Sequence, residues 1–242
     1  MIIEIATTDL ETTRSAVEGG ADRIELCAAL SEGGTTPSMG TIRQCRELFS
    51  VELFPIIRPR AGDFLYTDDE FKAMCFDVKS CKELGCNGVV IGMLTSKGEI
   101  DKERTAYLIE LAYPLGVTFH RAFDRCADPF KALEELIEIG CERILTSGQQ
   151  PTAPEGVALI ASLHEKANGR IIIMPGSGVR ADNIRLLADQ TGCHEFHSSL
   201  RSKKNSAMEF IHPAFSNSAE SYANPAVVAE HVRVLRAALA AE

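Results

Sequence analysis

Eight short apolar runs alternate with helical segments from one end of the chain to the other, and this alternation restricts the fold more than any other feature. The runs cover residues 2–6, 23–26, 53–57, 88–91, 117–119, 143–146, 171–174 and 195–197. Helical patterning occupies 10–17, 41–49, 69–83, 103–113, 129–139, 155–167, 183–189 and 225–240, with apolar side chains at three- and four-residue spacing, as at Leu133, Leu136 and Ile137. Short strands separated by helices pair in parallel through βα connections. Eight such units predict an α/β protein built as a single (β/α)8 TIM-type barrel, and 242 residues suffice for one such domain.

An internal repeat supports the count. Gly20-Ala-Asp-Arg-Ile, Gly85-Cys-Asn-Gly-Val, Gly140-Cys-Glu-Arg-Ile and Gly192-Cys-His-Glu-Phe stand just before strands two, four, six and eight. Each glycine is placed to close the preceding helix at positive φ, and the small residue after it to tuck beneath the next strand. Cys86, Cys141 and Cys193 occupy the slot of Ala21, which predicts buried spacers, since a free cysteine packs as a small hydrophobe.

Charge narrows the partners. With 34 acidic against 25 basic residues, the net charge of -9 gives no footprint for nucleic acid or an anionic membrane. The one basic cluster, Arg201-Ser202-Lys203-Lys204, is short and isolated. No apolar run approaches the roughly 20 residues that span a bilayer. The opening Met-Ile-Ile-Glu-Ile-Ala lacks the pattern of a signal peptide, and eight cysteines occur without a CxxC pair. These features predict a cytoplasmic chain with free thiols. The polar stretch 198–224, ahead of the last helix, is longer than an ordinary βα loop and is expected either to cover the barrel's active face or to be disordered.

Strand alternation turns Glu4, Arg23, Glu25 and Cys27 toward the barrel axis, and puts Glu195 and His197 on one face. Buried charges need partners, so Glu4 and Glu25 are expected to form a network with Arg58 and Arg60, either around a ligand or as a structural salt-bridge layer. Arg58-Pro-Arg60-Ala-Gly-Asp63 sets two guanidinium forks and a carboxylate around a turn past strand three, where barrel active sites lie. Thr67-Asp68-Asp69-Glu70 reads as a helix start with Thr67 or Asp68 as cap, which leaves its acids structural.

At the exit of strand five, His120 is a candidate acid, base or metal ligand, with Asp124 either orienting it or organising the turn. Barrel closure would let His197 converge with His120. Thr146 and Ser147 close strand six. Gly176 and Gly178 in Pro175-Gly-Ser-Gly-Val179 expose backbone N–H groups suited to an anion. For a metal, Cys27 and Cys126 near the mouth suit Cu(I), given soft thiolates beside an imidazole. His164, His212 and His231 read as surface residues.

At these positions the chain resembles the copper homeostasis protein CutC family. The resemblance rests on Gly20-Ala-Asp-Arg-Ile-Glu-Leu-Cys27, Glu32-Gly-Gly-Thr-Thr-Pro-Ser38, Ile57-Arg-Pro-Arg-Ala-Gly-Asp-Phe64, Thr118-Phe-His-Arg-Ala-Phe-Asp124, Leu145-Thr-Ser-Gly-Gln149 and Glu195-Phe-His-Ser-Ser199. It implies a cytosolic TIM-like barrel, often a homo-oligomer, associated with copper tolerance and Cu(I) binding through cysteines near the mouth. Cys27 carries over, whereas Ala6 stands where many relatives have a second cysteine. Copper leaves Glu25, Arg58, Arg60, Asp63, His120, Thr146, Ser147, the 175–178 turn and His197 without a task. Three readings follow: a copper-homeostasis protein binding Cu(I) through Cys27; an orphan enzyme for a small anionic or phosphorylated metabolite; and a non-catalytic scaffold with a structural charged interior. In the enzyme, His120 is acid or base, Arg58 and Arg60 clamp the anion, and Glu25 or Asp63 is the carboxylate partner.

Overall fold

The computed structural model describes residues 1–199, 203–205, 208–210, 221–223 and 225–240. Its strands are β1 (Ile2–Thr7), β2 (Arg23–Leu26), β3 (Glu52–Pro55), β4 (Gly88–Ile91), β5 (Gly116–Phe119), β6 (Arg143–Thr146), β7 (Ile172–Pro175) and β8 (Glu195–Ser199). Each of the first seven is followed by its helix: α1 (Leu10–Gly19), α2 (Met39–Leu48), α3 (Asp68–Glu83), α4 (Lys102–Ala112), α5 (Pro129–Glu138), α6 (Val157–Ala167) and α7 (Ile184–Thr191). Helix α8 (Pro225–Ala240) packs on α1.

The eight strands are parallel and closed. β1 joins β2 on one side and β8 on the other, β2 joins β3, and β4 to β7 pair in sequence. An Ile56–Val90 bridge links the β3 side to β4, and β7 lies beside β8. The predicted (β/α)8 barrel is therefore the fold. Strand three ends at Pro55, earlier than expected: the Ile56 N–H still donates to the Leu26 carbonyl of β2, but the next N–H, of Ile57, turns to the Val90 carbonyl of β4.

Local sequence explains the connections. Gly20, Gly85, Gly140 and Gly192 all adopt positive φ, as the repeat predicts. The N–H groups of Ala21, Cys86 and Cys141 each bond back into the preceding helix, and the three cysteine spacers are buried. All eight cysteines are free thiols. Thr67 caps α3 in a capping box with Glu70, so those acids serve the helix start.

The apolar core fills the space between strands and helices. Ile3, Ile5, Ile24, Leu26, Val89, Ile91, Phe119, Ile144 and Phe196 point outward into it, each fully buried. A side chain of this size contributes about 1.5–3 kcal/mol on burial. A small second cluster of Cys27, Phe54, Ile56 and Val90 lies inside the barrel.

The barrel axis is charged. Arg143 Nε binds Glu195 Oε2 at 2.6 Å, and the same oxygen accepts from Arg23 Nη2 at 2.5 Å. Arg23 Nε then reaches Glu4 Oε2, whose other oxygen contacts His197 Nδ1 at 2.7 Å. Phe54 lies beneath both guanidinium groups, 5.1 Å from Arg23 and 5.7 Å from Arg143. Glu4 and Arg23 face inward as expected, but the predicted partnership with Arg58 and Arg60 is incorrect. Those two arginines lie beyond the end of β3, too far along the chain to reach down the axis, and Arg23 and Arg143 replace them.

The expectation for 198–224 falls largely outside the described residues. Its described parts include two short antiparallel strands, β9 (Lys203–Asn205) and β10 (Ser221–Ala223). Among the described residues, no helix is long and apolar enough to cross a membrane.

Removing one member of a buried ion pair leaves its partner uncompensated, at a cost of about 3–5 kcal/mol. Glu4→Gln keeps the shape and deletes the charge, so urea unfolding should show a loss of about that size. A loss under about 1 kcal/mol, typical of a surface pair, would contradict a structural ion layer.

Candidate functional site

Above the ion layer, at the carboxyl ends of the strands, lies a cavity of about 520 Å³. Its wall includes Glu25 from β2, Arg58 and Phe64 from the loop after β3, His120 and Arg121 after β5, and Ser177–Arg180 after β7. His197, Ser198 and Ser199 complete it from β8, with His231 from α8.

Arg58 is 4% exposed, yet its guanidinium has no carboxylate partner among the described residues. Its Nη1 donates to the carbonyls of Glu32 and Gly34 at 2.9 and 2.7 Å, and its Nη2 to that of Gly62 at 3.0 Å. These bonds aim the group without neutralising it. The guanidinium also rests on the Phe64 ring at 5.2 Å.

His120 rests against the same aromatic, with ring centroids 4.9 Å apart. Gly92 makes this possible, since a Cβ there would come within 2.4 Å of the imidazole. The Ala122 N–H donates to His120 Nδ1 at 3.1 Å, so in the neutral ring the proton resides on Nε2. Nε2 is buried and has no partner among the described residues. Burial, helped by the Arg58 charge, pushes the imidazole down to about 3. His120 therefore presents a neutral Nε2–H donor.

Glu25 is the one carboxylate lining the cavity among the described residues. Burial raises it to about 7, and the His197 charge restrains the rise. His197 Nε2 lies 3.6 Å from Glu25 Oε2. Burial works to lower the imidazole, but Glu25 and Glu4 outweigh it and the net direction is upward. Glu4 shows the same contest: burial opposes its charge, Arg23 and His197 win, and it falls to about 2. His197 is thus held between an ionised carboxylate and one that titrates near neutrality.

After β7, Ser177 and Gly178 have positive φ of 74° and 72°. Among the described residues the backbone N–H groups of Ser177, Gly178 and Val179 have no acceptor, whereas the Gly176 N–H is taken by the Thr146 carbonyl. Arg180 lies alongside, at the rim.

Other expected residues are elsewhere. Arg60 pairs with Glu70 and with Asp63, whose side chain is 71% exposed, and neither Arg60 nor Asp63 lines the cavity. Asp124 accepts from Thr146 Oγ1, from the Ser147 N–H and hydroxyl, and from the Gln149 N–H. It fastens the β5 loop to the β6 loop and does not orient His120. Thr146 and Ser147 spend their hydroxyls in that fastening. Gly176 lies behind the wall, against Leu145 and His197.

Cys27 is 1% exposed and sits in the small apolar cluster, while Cys126 belongs to the main core and contacts Gln149. Burial pushes the Cys27 thiol well above its ordinary value, with Glu25 adding to the shift. Among the described residues, no group of three or more His, Cys, Asp or Glu side chains is arranged to hold a metal ion. The cavity also contains Phe64, Arg121, Arg180 and His231, which residue type and position alone left out. His231 corrects the surface expectation: α8 brings it to the cavity wall.

The CutC family model matches residues 1–202. The chain belongs to the CutC family. A CutC family protein of Chromobacterium violaceum is 49% identical over 241 residues, covering 98% of each chain. A Streptococcus agalactiae structure described as a copper homeostasis protein CutC superposes with a TM-score of 0.78 at 34% identity, covering 82% of this chain and 98% of that one. At 12% identity the likeness extends to N-(5'-phosphoribosyl)anthranilate isomerase of Pyrococcus furiosus, with a TM-score of 0.58 and coverage of 98% and 99%, which is a likeness of fold.

His120 should remain neutral until the pH approaches about 3. An unfolded chain protonates it near the ordinary value of about 6.5. Stability should therefore fall as the pH drops from there toward the folded value, because the unfolded state binds the extra proton. Nitrogen-15 NMR should show the Nε2–H tautomer and no titration near neutrality. An Nδ1–H tautomer, or a midpoint near 6.5, would contradict the assignment.

Proposed function

We propose that this CutC-family barrel is an enzyme acting on a small anionic metabolite that carries a phosphate. The observation that carries the reading is Arg58, a buried cation in the cavity wall that pairs with no carboxylate among the described residues. A buried unpaired charge is costly, and an anionic ligand offsets that cost when it binds. The N–H groups of Ser177, Gly178 and Val179, unpartnered among the described residues, supply a second anion cradle, in the loop position where barrels commonly hold phosphate. A barrel named for a phosphorylated substrate shares the fold, although at 12% identity that likeness carries no residue role.

The copper reading has weaker support. Cys27 is a deeply buried thiol held in its protonated form, and Cys126 lies in a different cluster. These donors do not fit a Cu(I) site. The scaffold reading accounts for the Arg23–Glu4–Glu195 layer but not for a cation and an imidazole donor left open above it.

Isothermal titration with 2-phosphoglycolate tests the reading. The wild type should bind it, and Arg58→Gln should lose about 10- to 100-fold, as expected for a hydrogen bond to a charged group. Arg180→Gln, at the exposed rim, should weaken binding without disturbing the fold. Absence of binding to the wild type, or equal affinity in folded Arg58→Gln, would overturn it.

A further inference from the structure

The cavity has two polar ends. In an eight-stranded barrel the third and seventh strands lie opposite one another, so Arg58, beyond β3, faces the Ser177–Val179 turn beyond β7 across the mouth. Arg58 and His120 share the Phe64 ring and form one end. The backbone N–H groups of Ser177–Val179, with Arg180, form the other. Glu25 and His197 lie on the inner wall, where the axial ion chain reaches the cavity.

The chemistry available between those ends is narrow. Glu25 is the one carboxylate in the wall among the described residues, and no lysine there offers an amine for a covalent imine. The hydroxyls of Ser177 and Ser198 already donate to the carbonyls of Pro151 and Val179. His120 cannot take a proton from a ligand through Nδ1, which accepts from the Ala122 N–H, and its Nε2 already carries one. His197 turns both ring nitrogens toward carboxylates, Nδ1 to Glu4 and Nε2 to Glu25.

We infer that the ligand is a small phosphorylated aldehyde or ketone, and that Glu25 removes a proton from the carbon beside its carbonyl while His120 and Arg58 hold the carbonyl oxygen. This inference rests on the proposed anion site and adds the substrate class and the reaction. The C–H bond breaks and its proton passes to a Glu25 oxygen. The electron pair of that bond becomes the new C=C bond, and the carbonyl π pair moves to oxygen, giving an enolate. The His120 Nε2–H and the Arg58 charge stabilise that oxygen, the usual task of a preorganised donor at a developing negative charge. Once the proton on Glu25 has been replaced from solvent, its delivery to the same carbon completes exchange; delivery to the neighbouring carbon, after proton shift between the oxygens of an enediol, completes isomerisation, and neither needs an external oxidant or reductant. Glu4 and His197 are positioning residues, fixing the Glu25 carboxylate from below.

Exchange of carbon-bound hydrogen in deuterium oxide tests this. The probes are dihydroxyacetone phosphate, ribose 5-phosphate, ribulose 5-phosphate and fructose 6-phosphate, followed by proton NMR and mass spectrometry against enzyme-free controls. The wild type should place deuterium beside the carbonyl of at least one probe. Glu25→Gln should slow exchange by about 10²–10⁴-fold, the range for a lost general base, while still binding 2-phosphoglycolate. Glu25→Asp, which keeps the carboxylate, should recover part of the rate. Binding of 2-phosphoglycolate with no exchange in any probe overturns this inference and leaves the anion site standing. Undiminished exchange in Glu25→Gln overturns the role of Glu25. Loss of phosphate binding in the wild type removes the proposed function beneath it.

Discussion

The contact between Arg23 and Glu4 at the barrel axis sets the terms for the rest of the molecule. A guanidinium buried there is tolerable only if carboxylates surround it, and β1 and β8 supply them as Glu4 and Glu195. Glu195 is then shared with Arg143, and Glu4 with His197. The two arginines also cover Phe54 on the same axis. The charged layer plugs the barrel and lifts the open volume to the carboxyl ends of the strands.

From that layer the charge pattern changes upward. Below, each arginine has its carboxylate. Above, Arg58 is held by three backbone carbonyls and keeps its charge, while His120 is held neutral by burial and by that charge. Glu25 lies between the two regimes, in contact with the lower network through His197 but facing the cavity. Structural and functional electrostatics thus meet at one carboxylate, whose ionisation is moved toward neutrality by burial. Such displacement in a cleft is a mark of acid–base chemistry.

Much of the fold was legible in the sequence because its periodicities are local. The four glycine-led repeats mark helix ends, and all four glycines take the positive φ that such an end requires. Alternation along β1, β2 and β8 correctly turned Glu4, Glu25 and His197 inward. The same rule applied to β6 would have found Arg143, whose neighbour Ile144 points to the core. Pairing was harder to read. Arg58 and Asp124 look like partners of Glu25 and His120 by residue type, yet backbone carbonyls and loop N–H groups hold them instead. His231 had no signal, because its place depends on how α8 docks against the barrel, a long-range contact with no local pattern.

The central claim is that the unbalanced Arg58 marks a site for a phosphorylated metabolite. The most direct test is equilibrium dialysis of a metabolite extract against the wild type and a folded Arg58→Gln variant, with retained compounds identified by mass spectrometry. The wild type should retain phosphorylated carbonyl compounds and the variant should not. Equal retention by the two proteins, or enrichment of uncharged compounds alone, would contradict it.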